Sequence, residues 1–272
     1  MPDKPHAWFA LPGHAVVVLE GRDSTAFSHA QFMSDVKSLA PGNWHWSGWL
    51  TPKGRVVALF ALLKRDEETI WLVLPDADPA AFADALRRYV FRSKVAIAVR
   101  DDLPVSGRFG ADADGSGDAC LDMSGDGGPR SLRIGQVAPE DAGAVLRWNQ
   151  ADLLHGLPRL PASQAGQWTP QQLSLERLHA FSVKKGCYPG QEIVARTHFL
   201  GQAKRGLVLL EGAEPVPVGH EVLMDGKAAG TVVSAAVHLA LAVMPHGRGP
   251  GTALRAGDAV LRERPLLDGL AR

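Results

Sequence analysis

Beyond Gln202 the chain breaks into short β-branched runs parted by turn residues at Glu214-Pro215, Asp225-Gly226, Gly249-Pro250 and Ala256-Gly257. Turns at that interval between β-branched runs are the signature of a small all-β module. The chain before it follows another rhythm. HAVVVLEG (14–21) reads as a strand. The stretch 23–36 reads as a helix with Asp23 or Ser24 as its cap and Ala26, Phe27, Ala30 and Met33 on its apolar side. NWHWSGWLTPKGRVVALFALL turns at Pro52-Lys53-Gly54 and reads as a hairpin, followed by a strand at 68–75. An amphipathic helix capped by Asp78, with Pro79 in its first turn, spans 78–91, and 93–101 returns as a strand. Residues 109–135 read as loops around short strands, and 171–181 as a helix. The fold class expected is α+β, with residues 1–202 forming two interwoven subdomains and 203–272 the β module.

Composition narrows the function. Lys plus Arg is 29 and Asp plus Glu is 29, a formal net charge of +0, without the positive surplus that coating nucleic acid or an anionic membrane requires. No direct nucleic-acid partner and no membrane partner is expected. The longest uncharged stretch, Ala228 to Gly247, holds Gly230, Pro245 and two histidines, and it divides into two β-branched runs, so it reads as two buried strands. The first residues, with Asp3 and Pro12-Gly13, make a poor secretory signal, and a cytoplasmic location is expected. The cysteines are 2 in number, Cys120 and Cys187, which excludes a disulfide scaffold and an iron–sulfur cluster held by this chain's thiolates alone.

The densest gathering of reactive and backbone-permissive residues is KKGCYPGQEIVARTHFLGQAKR, residues 184–205. Gly186 and Gly190 flank Cys187 and would let the chain turn tightly around it. Lys184 and Lys185 precede the thiol, and positive charge nearby favours the nucleophilic, metal-binding thiolate. If Glu192 opens a helix, Arg196 lies one turn on and can pair with it. A buried, inert thiol is the alternative.

Lys185-Gly186-Cys187-Tyr188-Pro189-Gly190-Gln191-Glu192, with Arg196 following, resembles the signature of the YgfZ-type folate-binding proteins, relatives of the glycine-cleavage T-protein. Weaker echoes lie at Gln31–Val36, Pro52–Arg55 and Tyr89–Val95, so the resemblance runs over nearly the whole chain. It implies a ring of N-terminal α/β subdomains around a central cavity for tetrahydrofolate or a derivative, plus a C-terminal β-barrel. It also implies an accessory role in iron–sulfur cluster assembly or repair in client enzymes, including enzymes of tRNA modification. Cys187 would be the reactive thiolate and possible transient cluster ligand, with no intrinsic metal site. Lys185, Gly186, Tyr188, Gly190, Gln191, Glu192 and Arg196 would shape its loop, and Trp148 would line the folate site.

The departures are as informative. T-proteins carry an acidic pair shortly after the hairpin glycine; here Arg55 to Phe60 has no carboxylate, so aminomethyl transfer and conventional turnover are not expected. Leu154 stands where relatives place a glutamate, which shifts pterin recognition to Asp152 or His155 or weakens it. A second folate-site tryptophan falls at about His14, and Ser174 replaces a common asparagine. A one-carbon transferase and a folate-free interaction module are the alternative readings.

Other features carry less. Trp44 and Trp46 share a strand face with Trp49 nearby, and the cluster reads as core. Asp112 to Gly117 imitates the start of a calcium loop but has Met123 where a glutamate is needed, and it reads as a solvated turn. His198 is expected at the surface, and Cys120 as a minor core residue.

Overall fold

The computed structural model describes residues 7–111, 117–201, 203–249 and 252–272. The calcium-loop imitation at 112–116 therefore lies outside the described residues, apart from Gly117.

The elements in chain order are strands β1 (Phe9–Ala10) and β2 (His14–Glu20), helix α1 (Ser24–Gln31), strands β3 (Trp44–Leu50), β4 (Val56–Lys64) and β5 (Thr69–Pro75), and helix α2 (Pro79–Arg87). Next come β6 (Ala96–Val99), β7 (Val105–Phe109), β8 (Ala119–Asp122), β9 (Arg130–Ile134), α3 (Ala142–Leu154) and α4 (Gln191–Leu200). The chain continues through β10 (Arg205–Gly212), β11 (Glu221–Met224), β12 (Lys227–Ala236), β13 (Leu239–Pro245), β14 (Leu254–Ala256) and β15 (Ala259–Arg264).

The strands form an antiparallel sheet ordered β3-β4-β5-β2-β6, a second ordered β1-β7-β9-β8, and a closed barrel ordered β10-β13-β12-β11-β14-β15. Closure removes the exposed edges that so many short strands would otherwise present. Alternation splits the first sheet between two cores. Val17, Leu19, Phe60, Leu62 and Leu72 face α1 and α2, while Val16, Val18, Ala61, Leu63 and Val73 face inward. That inner face shares one continuous core with Phe9, Leu132 and Trp148 from the second sheet and its helix, and with Leu209 and Leu241 from the barrel.

Asp78 caps α2 as expected, accepting from the amides of Ala80 and Ala81. Three expectations are corrected. Helix α1 is shorter than 23–36, because Phe32 turns extended and bridges to Trp49, and Asp23 accepts from the Lys94 amide instead of capping. The stretch 171–181 holds only a single tight turn at Leu175–Leu178, bounded by Ser174 and His179 in left-handed backbone (φ 49 and 54). Helix geometry cannot pass through such residues. Cys120 is exposed on β8 rather than buried. The uncharged stretch forms β12 and β13, and among the described residues no helix is long and apolar enough to cross a membrane.

Candidate functional site

Cys187 is exposed at the apex of the loop between residues 182 and 191. Its neighbours are fastened one by one. The Ser182 amide donates to Met33 O at 2.8 Å, and Ser182 Oγ accepts from the amides of Lys184 and Lys185. Tyr188 is buried, its hydroxyl donates to Ser182 O, and burial raises its pKa. Gln191 Nε2 donates to Lys185 O at 2.9 Å, closing the loop from its far side.

Lys185 does something the sequence did not suggest. Its ammonium is buried, lies 4.7 Å from the Tyr188 ring centroid, and donates to the carbonyls of His29, Phe32 and Ser34. Carbonyls left without partners where a helix ends attract a cation. Lys185 thus locks the Cys187 loop onto the end of α1. Burial pulls its pKa down to about 8, which leaves it mostly charged at neutral pH.

Only one of the two flanking glycines is required by geometry. Gly190 has φ +79, and a Cβ there would lie 2.6 Å from Gly54 Cα and 2.7 Å from Thr51 O. The hairpin turn at Pro52–Arg55 and the Cys187 loop therefore meet backbone to backbone, which only paired glycines permit. A Cβ at Gly186 would meet nothing within 4 Å, so the tight-turn role expected there is not observed. Glu192 and Arg196 are exposed and, contrary to expectation, do not pair with each other. His198 is exposed, as expected, and lines a cleft with His246.

The expected folate centre lies between the first sheet, the second sheet and α3. A cavity lined by His14, Trp46, Met123, Leu132, Asp152 and Leu157, among others, measures only about 10 Å³. Space of that size admits about one water, whereas pockets for ligands of drug size run to about 300 Å³ and above. A cluster of charged groups meets at its wall residue Asp152. Arg159 grips Asp76 through Nε (2.6 Å) and Nη2 (2.7 Å), and it reaches Asp152 at 3.5 Å. Arg130 donates to the other Asp152 oxygen at 2.8 Å. Asp76 sits in left-handed backbone (φ 75), which brings its carboxylate round to Arg159. The His14 pKa is held well below its ordinary value by burial and by Arg159, which keeps the imidazole neutral.

Neither residue suggested as a replacement for the missing glutamate is available. Asp152 is shared by two arginines, and His155 is bonded to Ala151 O and the Gly127 amide. Trp148 is completely buried with Phe9 and Phe109 at its edges and Arg130 4.7 Å over its ring, so it lies in the core and not on the cavity wall. The cavity as it stands does not fit a pterin. The Arg130–Asp152–Arg159–Asp76 cluster escaped sequence reasoning because its members are scattered from 76 to 159 with no shared motif.

The arrangement of sheets and barrel is that of a solved structure, the glycine cleavage system aminomethyltransferase T from Bartonella henselae. It matches with a TM-score of 0.70 and 15% identity, covering 98% of this chain and 86% of that one. The fold is therefore T-protein-like. No protein-family model matches the chain. Among relatives, an uncharacterized protein from Haemophilus influenzae is 29% identical over 84% of each chain. Proteins named "tRNA-modifying protein YgfZ" from Klebsiella pneumoniae (28% identical; 80% of this chain, 76% of the relative) and Aliivibrio fischeri (25%; 90% and 87%) match as well. The chain is thus similar in sequence to YgfZ-type proteins and T-protein-like in fold.

Proposed function

We propose that the protein is an accessory factor supporting tRNA modification by iron–sulfur enzymes, with Cys187 as its working group. The observation that carries this reading is an exposed thiol at the tip of a loop whose flanking residues Lys185, Tyr188 and Gln191 are each bonded down. A structural loop has no need to hold a thiol outward so firmly, whereas a ligand for a transient cargo does. The name carried by the relatives supports the link to tRNA modification. The net charge of +0 supports action on the modifying enzyme rather than on RNA. An iron–sulfur cluster would be cargo, with the Cys187 thiolate as one ligand and the client protein supplying the rest. Among the described residues no three His, Cys, Asp or Glu side chains come together as a metal site.

Tetrahydrofolate or a derivative is the small molecule suggested by the fold. Because the closed cavity does not fit it, no step is assigned to folate here. Aminomethyl transfer is not part of the proposal, since β4 and the turn before it offer no carboxylate from Arg55 to Phe60. The test is complementation of a bacterial strain lacking its own YgfZ-type protein. Cys187→Ser should fold and melt like the parent yet fail to restore the activity of an iron–sulfur tRNA-modifying enzyme. Full rescue would sink the thiol's role.

A further inference from the structure

The segment that follows the barrel is bonded to residues that line the cavity. After β15 the chain leaves the barrel and runs back across the N-terminal body without forming a helix or strand. The Leu267 amide donates to Leu154 O at the end of α3, the helix that carries Asp152. Asp126 N donates to Asp268 O, and Gly269 packs so closely on Gly125 that a Cβ would lie 3.0 Å from its Cα. Leu270 is buried in the central core, and its carbonyl accepts from Trp46 Nε1 at 2.9 Å. Arg272 donates to Asp122 O and Ser124 O, bracketing Met123, with its guanidinium 5.6 Å from the Trp44 ring centroid. Trp46 and Met123 are both cavity-lining residues. The segment therefore fastens the wall on which they stand.

We propose that residues 266–272 are a strap that shuts the central cavity, and that the cavity opens to ligand when the strap lifts. The strap has the make-up of a movable part. Leu270 is its one fully buried side chain, its bond to Trp46 is buried and Leu266 packs partly buried on the core, whereas Asp268 and Gly269 are exposed and the ties of Asp268 and Arg272 lie near the surface. Segments with few buried contacts and exposed hydrogen bonds open at low free energy while the core stays folded. A binding site reached only through such an opening shows an affinity reduced by the open fraction. The strap thus reconciles a T-protein-like fold with a cavity of about 10 Å³. It stands independently of the role proposed for Cys187.

The test compares the parent chain, Arg272→Ala, and a chain ending at Pro265. Each is followed by hydrogen–deuterium exchange and titrated anaerobically with 5-formyltetrahydrofolate. Expected are at least tenfold faster exchange in peptides covering 44–50 and 121–125 in both variants, unchanged exchange in β12 and β13, and folate binding at least tenfold tighter than in the parent. Faster exchange with no folate binding would uphold the strap and overturn folate as the ligand. Unchanged exchange in both variants would overturn the strap. So would failure of the shortened chain to fold, since the segment would then be core rather than a closure.

Discussion

At the scale of single residues, the signature around Cys187 separates into positions with different physical duties. Gly190 is fixed by steric demand. A methyl group there would strain a left-handed backbone and strike Gly54 and Thr51. Gly190→Ala should therefore cost about 2–4 kcal/mol, whereas Gly186→Ala should stay within about 0.5 kcal/mol because open space surrounds it. Urea denaturation of the two variants checks the contrast, and equal losses would refute the steric reading. Spacing made both glycines look alike. Only the approach of a turn more than a hundred residues away distinguishes them. Lys185 was likewise legible as a charge beside a thiol but not as a cap for α1, because its carbonyl partners lie at 29, 32 and 34.

At the scale of elements, strands and hairpins were readable from alternation and turn residues, and α2 from its cap. What local pattern could not show was where left-handed residues interrupt a helical run, as Ser174 and His179 do. Ser174 is kept in that conformation by a tertiary bond, since its hydroxyl accepts from the Leu207 amide on β10. The junction between α1 and β3 is another tertiary product. Ser34 donates to Ser47 at 2.6 Å and shares a 2.8 Å hydrogen bond with His45 Nε2. The His45 pKa is lowered to about 4, chiefly by burial, with Asp35 opposing and Lys185 assisting. The unfolded chain takes up a proton at this histidine near pH 6.5, while the folded chain resists until about 4. Stability from this group is thus complete above pH 6.5 and falls as the pH drops toward 4. Between pH 6.5 and 5 the loss should be about 2 kcal/mol. His45→Gln should flatten that part of a pH series of denaturation midpoints, and an unchanged slope would count against it.

At the scale of the whole molecule, the sheets and the barrel share one core, and a neutral cluster of two arginines and two aspartates clasps the first sheet to α3. Removing one partner of a buried ion pair leaves its mate uncompensated. Asp152→Asn, which deprives two arginines at once, should cost about 3–5 kcal/mol. Arg159→Met should cost less, because Asp152 keeps Arg130 and Asp76 is partly exposed. Thermal melts of both variants rank them, and the reverse order would show that Arg159 holds the clasp. The C-terminal barrel was legible from the closely spaced turns beyond Gln202. The closed centre was not, because it depends on charges and a returning segment that no local pattern links.

That return changes the topological status of the barrel. The chain enters it from α4 and comes back to the N-terminal body after β15, so the barrel is an insertion tethered at both ends rather than a pendant module. A protease cutting only the connection before β10 would leave two fragments still held together by the shared core, to which Leu209, Leu241 and Leu270 all belong. Such a nicked protein should travel as one particle through gel filtration and separate only in denaturant.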